Sequence, residues 1–449
     1  MPTARYESKP VDVSPLAQPL KFEFSGRVAK NRLFKAAMVE TIATWHPKNR
    51  EERGIPTKEL IELYRRFGEG GWGIITTGNM DIDFTKVSGM GDAIITPECP
   101  LSGPRFEAFQ KLAAAGKAHG SLLLAQVSHP GRQLFANISK DTISASAVPM
   151  PSKPGAYSVH LYATPREATK AEIAQVVDSF AYAAVYLQEA GFDGIQLHGA
   201  HGYLISQFLS ERTNQRTDEY GGSIINRVRI VTEIAAAIRA RVKKEPGFVM
   251  AIKINSVEFQ DRGITAGDAA AMCELLEEAG FDLVELSGGN HEDFGFGGEK
   301  RESTRRREAY FLEFVRDIAP LLKRSKSYLV GGFRTAAAMV EALGVVDGIS
   351  LGRPAAQQPT IARDLLEGRV TGAVRPPPEF VNDSALAIQA AGAQMRQMAK
   401  GVRVPADLGS DDENKIKTIR ADIARHAERL AADGGKLEIF GFADLTVEG

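Results

Sequence analysis

Cysteine is nearly missing from this chain. Cys99 and Cys273 are the two among 449 residues, and they stand far apart. Two scattered thiols exclude a CxxC pair, a four-ligand zinc set and a four-cysteine iron–sulfur site, and such sparse use fits a reducing compartment. Long hydrophobic runs are missing too. No stretch approaches the roughly 18 apolar residues of a membrane span, and the first residues, "MPTARYESKPVDVSPLAQP", lack the apolar segment of a secretory signal. The expectation is a cytoplasmic protein without a membrane partner, in which the Asn-x-Ser sequons at Asn137 and Asn382 are chance. An excess of either charge is the third absence. Lys plus Arg number 55 and Asp plus Glu 56, a net charge of −1, which leaves no electrostatic case for nucleic acid or an anionic membrane. What is present, 43% apolar and 25% charged residues, is ordinary for a globular protein with a large core.

Short β-rich runs recur along the chain: "RLFKAAM" (32–38), "GIITTGN" (73–79), "SLLLAQV" (121–127), "DGIQLH" (193–198), "FVMAIKI" (248–254), "DLVELS" (282–287), "SYLVGG" (327–332) and "DGISLG" (347–352). Helical patterns lie between most of them. In the 164–191 segment Thr169 and Glu172 form a capping-box signature and Gly191 is a stop, and the 265–280 segment repeats the scheme. Strand–helix alternation implies parallel strands with right-handed crossovers, and eight units fit a closed (β/α)8 barrel, with an open doubly wound sheet as the alternative. The expected division is an N-terminal arm at 1–20, a barrel at 21–372 and a C-terminal helical extension at 373–449. In the extension Ser410 and Glu413 read as a capping box, and Ile416, Ile419, Ile423 and Leu430 form one apolar face, packed on the barrel or on a second copy of the chain, which allows a homo-oligomer. One motif misleads: "GEGGWG" (68–73) matches G-x-G-x-x-G, but its glycines follow a helix and precede a strand, the wrong order for a dinucleotide site.

A barrel enzyme keeps its site at the C-terminal ends of its strands. Strand alternation turns Ile195 and Leu197 toward the helices and Gln196 and His198 into the barrel, and it puts Gln126 and Lys253 on the same interior face. Phosphate sites in such barrels use the loops after strands seven and eight, which here carry Gly331-Gly332 and Gly352-Arg353. His198, His201 and Tyr203 fall within six residues. Two histidines three apart could bind a metal, but no HExxH and no obvious third ligand accompany them. The better fit is a pair of N–H donors that clamp one electronegative substrate atom, with Tyr203 as proton donor.

With these residues in hand, the chain resembles the Old Yellow Enzyme family of NADH:flavin oxidoreductases and ene-reductases, its fungal-type members above all. The signature is "HGAHGYLISQFLSERTNQRTDEYGGS" (198–223) followed by "NRVR" (226–229), supported by "NRLFKAAM", "ITTGN", "LAQVSHPGRQ", "LVGGFRT" and "ISLGRP". The resemblance covers about residues 20 to 370. It implies FMN across the barrel mouth, reduced by NADPH or NADH, and a small-molecule enone, nitroalkene or quinone as oxidant. His198 and His201 would hold the substrate oxygen, hydride would pass from flavin N5, and Tyr203 would protonate the other carbon. Positions matching the flavin site are Ala37, Met38, Val39, Gly78, Gln126 and Lys253, with Gly331, Gly332, Gly352 and Arg353 at the phosphate end. Ala37 replaces a common Pro, Val39 a common Thr or Cys that reaches the flavin edge, Lys253 a common Arg and Glu211 a common Pro. The larger iron–sulfur relatives need a cysteine cluster that this chain lacks. The 140–165 segment reads as a lid, and the basic loop 287–308 either greets nicotinamide phosphates or is a solvated tip. An NAD(P)H:flavin or quinone oxidoreductase, a redox-neutral isomerase and a non-catalytic flavin-binding scaffold remain as alternatives to an ene-reductase.

Overall fold

The structure, a computed structural model, describes residues 3–151, 162–245, 247–289 and 311–448. Eight parallel strands form the core: β1 (Leu33–Lys35), β2 (Ile74–Asp81), β3 (Leu122–Ser128), β4 (Gly194–Gly199), β5 (Val249–Asn255), β6 (Leu283–Ser287), β7 (Lys326–Val330) and β8 (Gly348–Leu351). β8 pairs with β1 through Ile349 opposite Leu33, and β1 with β2 through Phe34 opposite Ile74, so the sheet closes and its edges vanish. Helices α1 (Lys58–Gly68), α2 (Gly103–Lys117), α3 (Lys170–Glu189), α5 (Ile224–Arg241), α6 (Ala266–Glu278) and α7 (Ala336–Ala342) surround it, and a short α4 (Leu204–Leu209) follows β4. The fold is a (β/α)8 barrel. Both caps expected on the helices between strands form. Thr169 and Glu172 make a reciprocal capping box on α3, and Thr265 makes one with Asp268 on α6.

The strand alternation holds. Ile195 and Leu197 join the layer between strands and helices, while Phe34, Ile74, Leu122, Leu124, Val249, Ala251, Leu283 and Tyr328 fill the barrel. Leu20, Phe22 and Ala29 pack into that same interior from a hairpin of Leu20–Lys21 with Val28–Ala29, so this end of the barrel is plugged by chain that precedes β1. The expected strand at 32–38 is shorter than its apolar run. Ala36 still donates its N–H to Leu351, and then Ala37, Met38 and Val39 become partly exposed as the chain leaves the mouth. The glycines of "GEGGWG" serve packing: an added Cβ would lie 2.1 Å from the Pro359 carbonyl at Gly70 and 2.1 Å from the Asn31 carbonyl at Gly73.

Beyond the barrel, α8 (Ser384–Ala399) lies against α1 and sends Met395 and Met398 into the main core. A further helix, α9 (Glu413–Ala432), buries Ile416, Ile419 and Ile423 against Phe380, Ala390, Ala393 and Leu408. Its cap corrects the sequence reading. Asp412 accepts from the N–H groups of Asn414 (2.9 Å) and Lys415, while Ser410 accepts from Asp412 in the turn before. A carboxylate one residue before the first helical turn outcompetes a hydroxyl three before it, because it reaches the open N–H groups directly. Leu430 is only half-buried. Asp422 and His426 complete the inner face instead, bonding Thr446 (2.8 Å to its N–H) and the Gly441 carbonyl (2.9 Å). The chain's first residues reach both parts: Ala4 donates its N–H to Gly409 O (2.8 Å), and Arg5 donates to Gln358 Oε1 (2.8 Å). Among the described residues no helix is long and apolar enough to cross a membrane.

Candidate functional site

Four polar side chains form a connected floor inside the C-terminal half of the barrel. Register explains the meeting: Gln126 lies opposite Gln196, and Lys253 lies opposite both His198 and Glu285, so all point inward from one level. Gln126 donates its Nε2 to Gln196 Oε1 (2.8 Å), Gln196 donates its Nε2 to Glu285 Oε2 (2.8 Å), and Lys253 Nζ stands 3.1 Å from the same oxygen. All four are buried. Gln126 and Lys253 were expected here; Glu285 was missed, because an acid in "DLVELS" gives no local sign of its partner.

His198 ends β4, and the turn beyond it is unusual. His201 adopts φ +59° and Gly202 φ +80°. The left-handed region costs a non-glycine residue about 1–2 kcal/mol, and the surroundings hold it. His201 donates its N–H to Asn255 Oδ1 (3.3 Å), its carbonyl accepts from Gln133 (3.0 Å), and its Nε2 lies 2.9 Å from Ser287 Oγ. Buried Gln207 donates to the Gly202 carbonyl (2.7 Å) and to Pro130 O (3.1 Å), buckling this turn onto the loop after β3. The result sets the His198 ring 5.3 Å from that of His201, edge-on, and 4.3 Å from that of Tyr203. Tyr203 caps α4 and accepts from Asn79 Nδ2 at 3.2 Å. Much of the long signature is scaffold. Asn214 donates to Phe208 O and Tyr220 O, Arg216 to Ala145 O and Ala168 O, and Arg227 to Leu209 O and Asp268.

Burial, then the nearby Asp92 carboxyl, holds the Tyr203 phenol well above its ordinary range, so it stays protonated. Asp92 precedes Ala93, which pairs with Met80, and so sits beside Asn79. Burial also raises Asp92, and it pushes Asp81 up to about 8. Lys35 of β1 faces the layer between strands and helices, where it donates to Thr76 O (2.9 Å) over the Phe67 ring, and burial brings it down to about 8. Glu40, raised by burial, accepts from Tyr64 and from the Gly78 N–H (2.7 Å). The Gly78 N–H thus goes to Glu40, and the lack of a side chain at Gly78 makes room for that carboxylate, 2.0 Å from where a Cβ would stand.

His129, at the end of β3, is buried and pushed down to about 4 by that burial, with its Nδ1 accepting from Gly131 N–H (3.0 Å). A depressed native pKa keeps its contribution intact above the unfolded value of 6.5 and loses it as pH falls toward 4. By pH 5 this group alone should cost about 2 kcal/mol of folding stability. His129→Asn, which retains an acceptor, should remove that part of the acid dependence. Urea unfolding of both proteins at pH 7 and pH 5 reads it, and equal losses in the two would refute the assignment.

At the other side of the mouth Gly331 (φ +141°) and Gly332 (φ +72°) follow β7 in conformations that L side chains rarely adopt. Gly352 follows β8 and packs on Met38, with exposed Arg353 next to it. Ala37, Met38 and Val39 complete a partly exposed rim. A feature absent from the sequence reading closes one side. Asp433 folds the tail by accepting from the N–H groups of Leu437 (2.8 Å), Glu438 and Ile439. Trp45 then donates to Leu437 O (3.1 Å), and Phe440 packs on Trp45 and on Gly91. The C-terminal tail therefore lies over the loops after β1 and β2. Residues 152–161 of the expected lid and 290–310 of the expected basic loop lie outside the described residues; beside the former, Tyr162 stacks on Phe135 at 5.3 Å. A cleft of about 520 Å³ lined by Arg66, Glu69, Arg363 and Arg403 lies near the opposite ends of β2 and β3, remote from this polar convergence. Among the described residues no group of three or more His, Cys, Asp or Glu is arranged to hold a metal.

The residues present fit a planar, phosphate-bearing heterocycle: a polar floor with one cation, a glycine-lined end with Arg353, and two imidazoles and a phenol at one side. Comparison with known proteins agrees with that chemistry. Residues 15–371 match the model of the NADH:flavin oxidoreductase / NADH oxidase family. The chain is 47% identical over 413 residues to the NADH-dependent flavin oxidoreductase nadA of Aspergillus parasiticus, covering 92% of this chain and 91% of the relative, so at least part of the segment after residue 371 is shared. It is 35% identical over 358 residues to the NADH-dependent flavin oxidoreductase iccE of Talaromyces variabilis, covering 76% and 84%. Among solved structures, the old yellow enzyme homologue from Zymomonas mobilis superposes with a TM-score of 0.64 at 24% identity over 82% of this chain and 98% of that one, a likeness of fold.

Proposed function

Because the chain belongs to the NADH:flavin oxidoreductase / NADH oxidase family and is a flavin-dependent oxidoreductase, we propose that it uses FMN and NADH or NADPH to reduce the C=C bond of α,β-unsaturated carbonyl or nitro compounds. The observation that carries the reading is the grouping of His198, His201 and a protonated Tyr203 at one strand end, next to the Gln126–Lys253 floor.

Ala37, Met38, Val39, Gln126 and Lys253 would hold the ring, and Gly331, Gly332, Gly352 and Arg353 the phosphate. Bound FMN supplies a two-electron relay between nicotinamide and alkene. The chain's own residues do the rest. Imidazole N–H groups of His198 and His201 orient the substrate oxygen and favour the charge that grows on it. The His201 ring is steered by Ser287, one of its nitrogens being engaged there. Tyr203 holds a proton at its hydroxyl for the carbon that becomes carbanion-like, and the surrounding burial keeps that proton in place. Val39 offers no side-chain donor at the ring edge, and Lys253 acts as a point charge instead of a planar fork.

Purified protein should be yellow and release FMN on heating. Anaerobic reduction with NADH and with NADPH, followed by reoxidation with enones, nitroalkenes and quinones, ranks the partners. Released FAD, or a colourless protein that no flavin restores, would overturn the FMN assignment; reoxidation by quinones alone would replace alkene reduction with an electron-acceptor role.

A further inference from the structure

Glu285 is fully buried in the barrel, where a lone carboxylate is costly and even a paired one gains the fold little over apolar residues. Its contacts give it an order-setting position. An ionised carboxylate only accepts hydrogen bonds. Glu285 Oε2 therefore requires the amide nitrogen of Gln196, which it receives at 2.8 Å. The Gln196 carbonyl oxygen must then face Gln126, and it accepts the Gln126 Nε2 at 2.8 Å. Gln126 in turn has its own carbonyl oxygen directed away from Gln196. The same Glu285 oxygen stands 3.1 Å from Lys253 Nζ.

We propose that Glu285 is a positioning residue that sets both the hydrogen-bond polarity and the net charge of the barrel floor: it fixes which end of the Gln126 amide is presented and offsets the Lys253 cation toward a ring bound above them. The proposal rests on the FMN reading given above. A reduced flavin is richer in negative charge than the oxidised one, so Lys253 favours reduction and Glu285 opposes it. Removing the carboxylate's charge should leave Lys253 uncompensated, and the Gln196 amide free to reverse.

The test is the two-electron midpoint potential of the bound flavin, with sulfite affinity as a second readout, in wild type, Glu285→Gln and Glu285→Asp. Glu285→Gln should raise the ratio of reduced to oxidised flavin at a given potential at least tenfold, about 30 mV for a two-electron couple, and should tighten sulfite binding by a similar factor. Glu285→Asp, which keeps the charge but shortens its reach, should shift both in the same direction by less, and it serves if the Gln variant does not fold. A role confined to packing would leave the potential alone. Wild-type protein that takes up no FMN overturns this proposal together with the reading beneath it. Wild type that binds FMN, with variants whose potential equals or falls below its own, overturns this one alone.

Discussion

Tyr203→Phe should slow reoxidation by an enone about 10²- to 10⁴-fold, the usual contribution of a positioned general acid, while reduction by the nicotinamide changes little. Reducing a C=C bond needs hydride at one carbon and a proton at the other. Reduction of a quinone draws its protons from solvent and needs no donor held at carbon. The geometry isolates the proton as the variable. Tyr203 is 6% exposed and packs at a tilt against the His198 ring at 4.3 Å, so Phe keeps the packing. Asn79 donates to the phenol oxygen, so the phenol proton is not given to that neighbour. Burial and the Asp92 carboxyl both hold the phenol above its ordinary pKa. A raised pKa keeps the acid form as pH rises, so the alkene step in wild type should show no loss between pH 6 and about 10, the unperturbed phenol value. Stopped-flow traces of each half-reaction decide it. A Phe variant that is reoxidised by enones as fast as wild type would remove Tyr203 from the chemistry and favour the electron-acceptor role.

The second large effect is expected from the histidine pair. A hydrogen bond to a charged oxygen is worth roughly 1.5–3 kcal/mol, so His198→Ala or His201→Ala should weaken binding of a phenolate, a mimic of an enolate oxygen, by tenfold or more. The double variant should fall short of the product, because neighbouring sites couple; the rings stand 5.3 Å apart. His201 adds a backbone test. At φ +59° Asn is among the residues best suited, and it keeps an N–H donor. His201→Asn should therefore retain most of the affinity that His201→Ala loses. Titration of the phenolate, followed through its long-wavelength charge-transfer band, gives each dissociation constant. Unchanged affinity in both Ala variants would place the clamp elsewhere, and activity abolished by chelators would restore the metal reading.

The sequence by itself determined the parts that repeat locally. Period-two alternation sends Gln126, Gln196, His198 and Lys253 inward, and the caps at Thr169 and Thr265 need only residues three apart. Strand–helix alternation then leaves few folds besides a closed barrel. Tertiary structure decided what depends on partners distant in the chain. Glu285 is an ordinary strand acid until β6 pairs with β5 beside Lys253. The left-handed His201 is held by Asn255, Ser287 and Gln133, and its turn by Gln207. The Gly78 N–H goes to Glu40 because β2 bulges between Thr76 and Asn79. Asp412 displaced Ser410 as a cap, and a tail around Phe440 reached the loops of β1 and β2 across nearly the whole chain. Periodicity records which face a residue takes; it carries no record of the neighbour that closure of the barrel brings against that face.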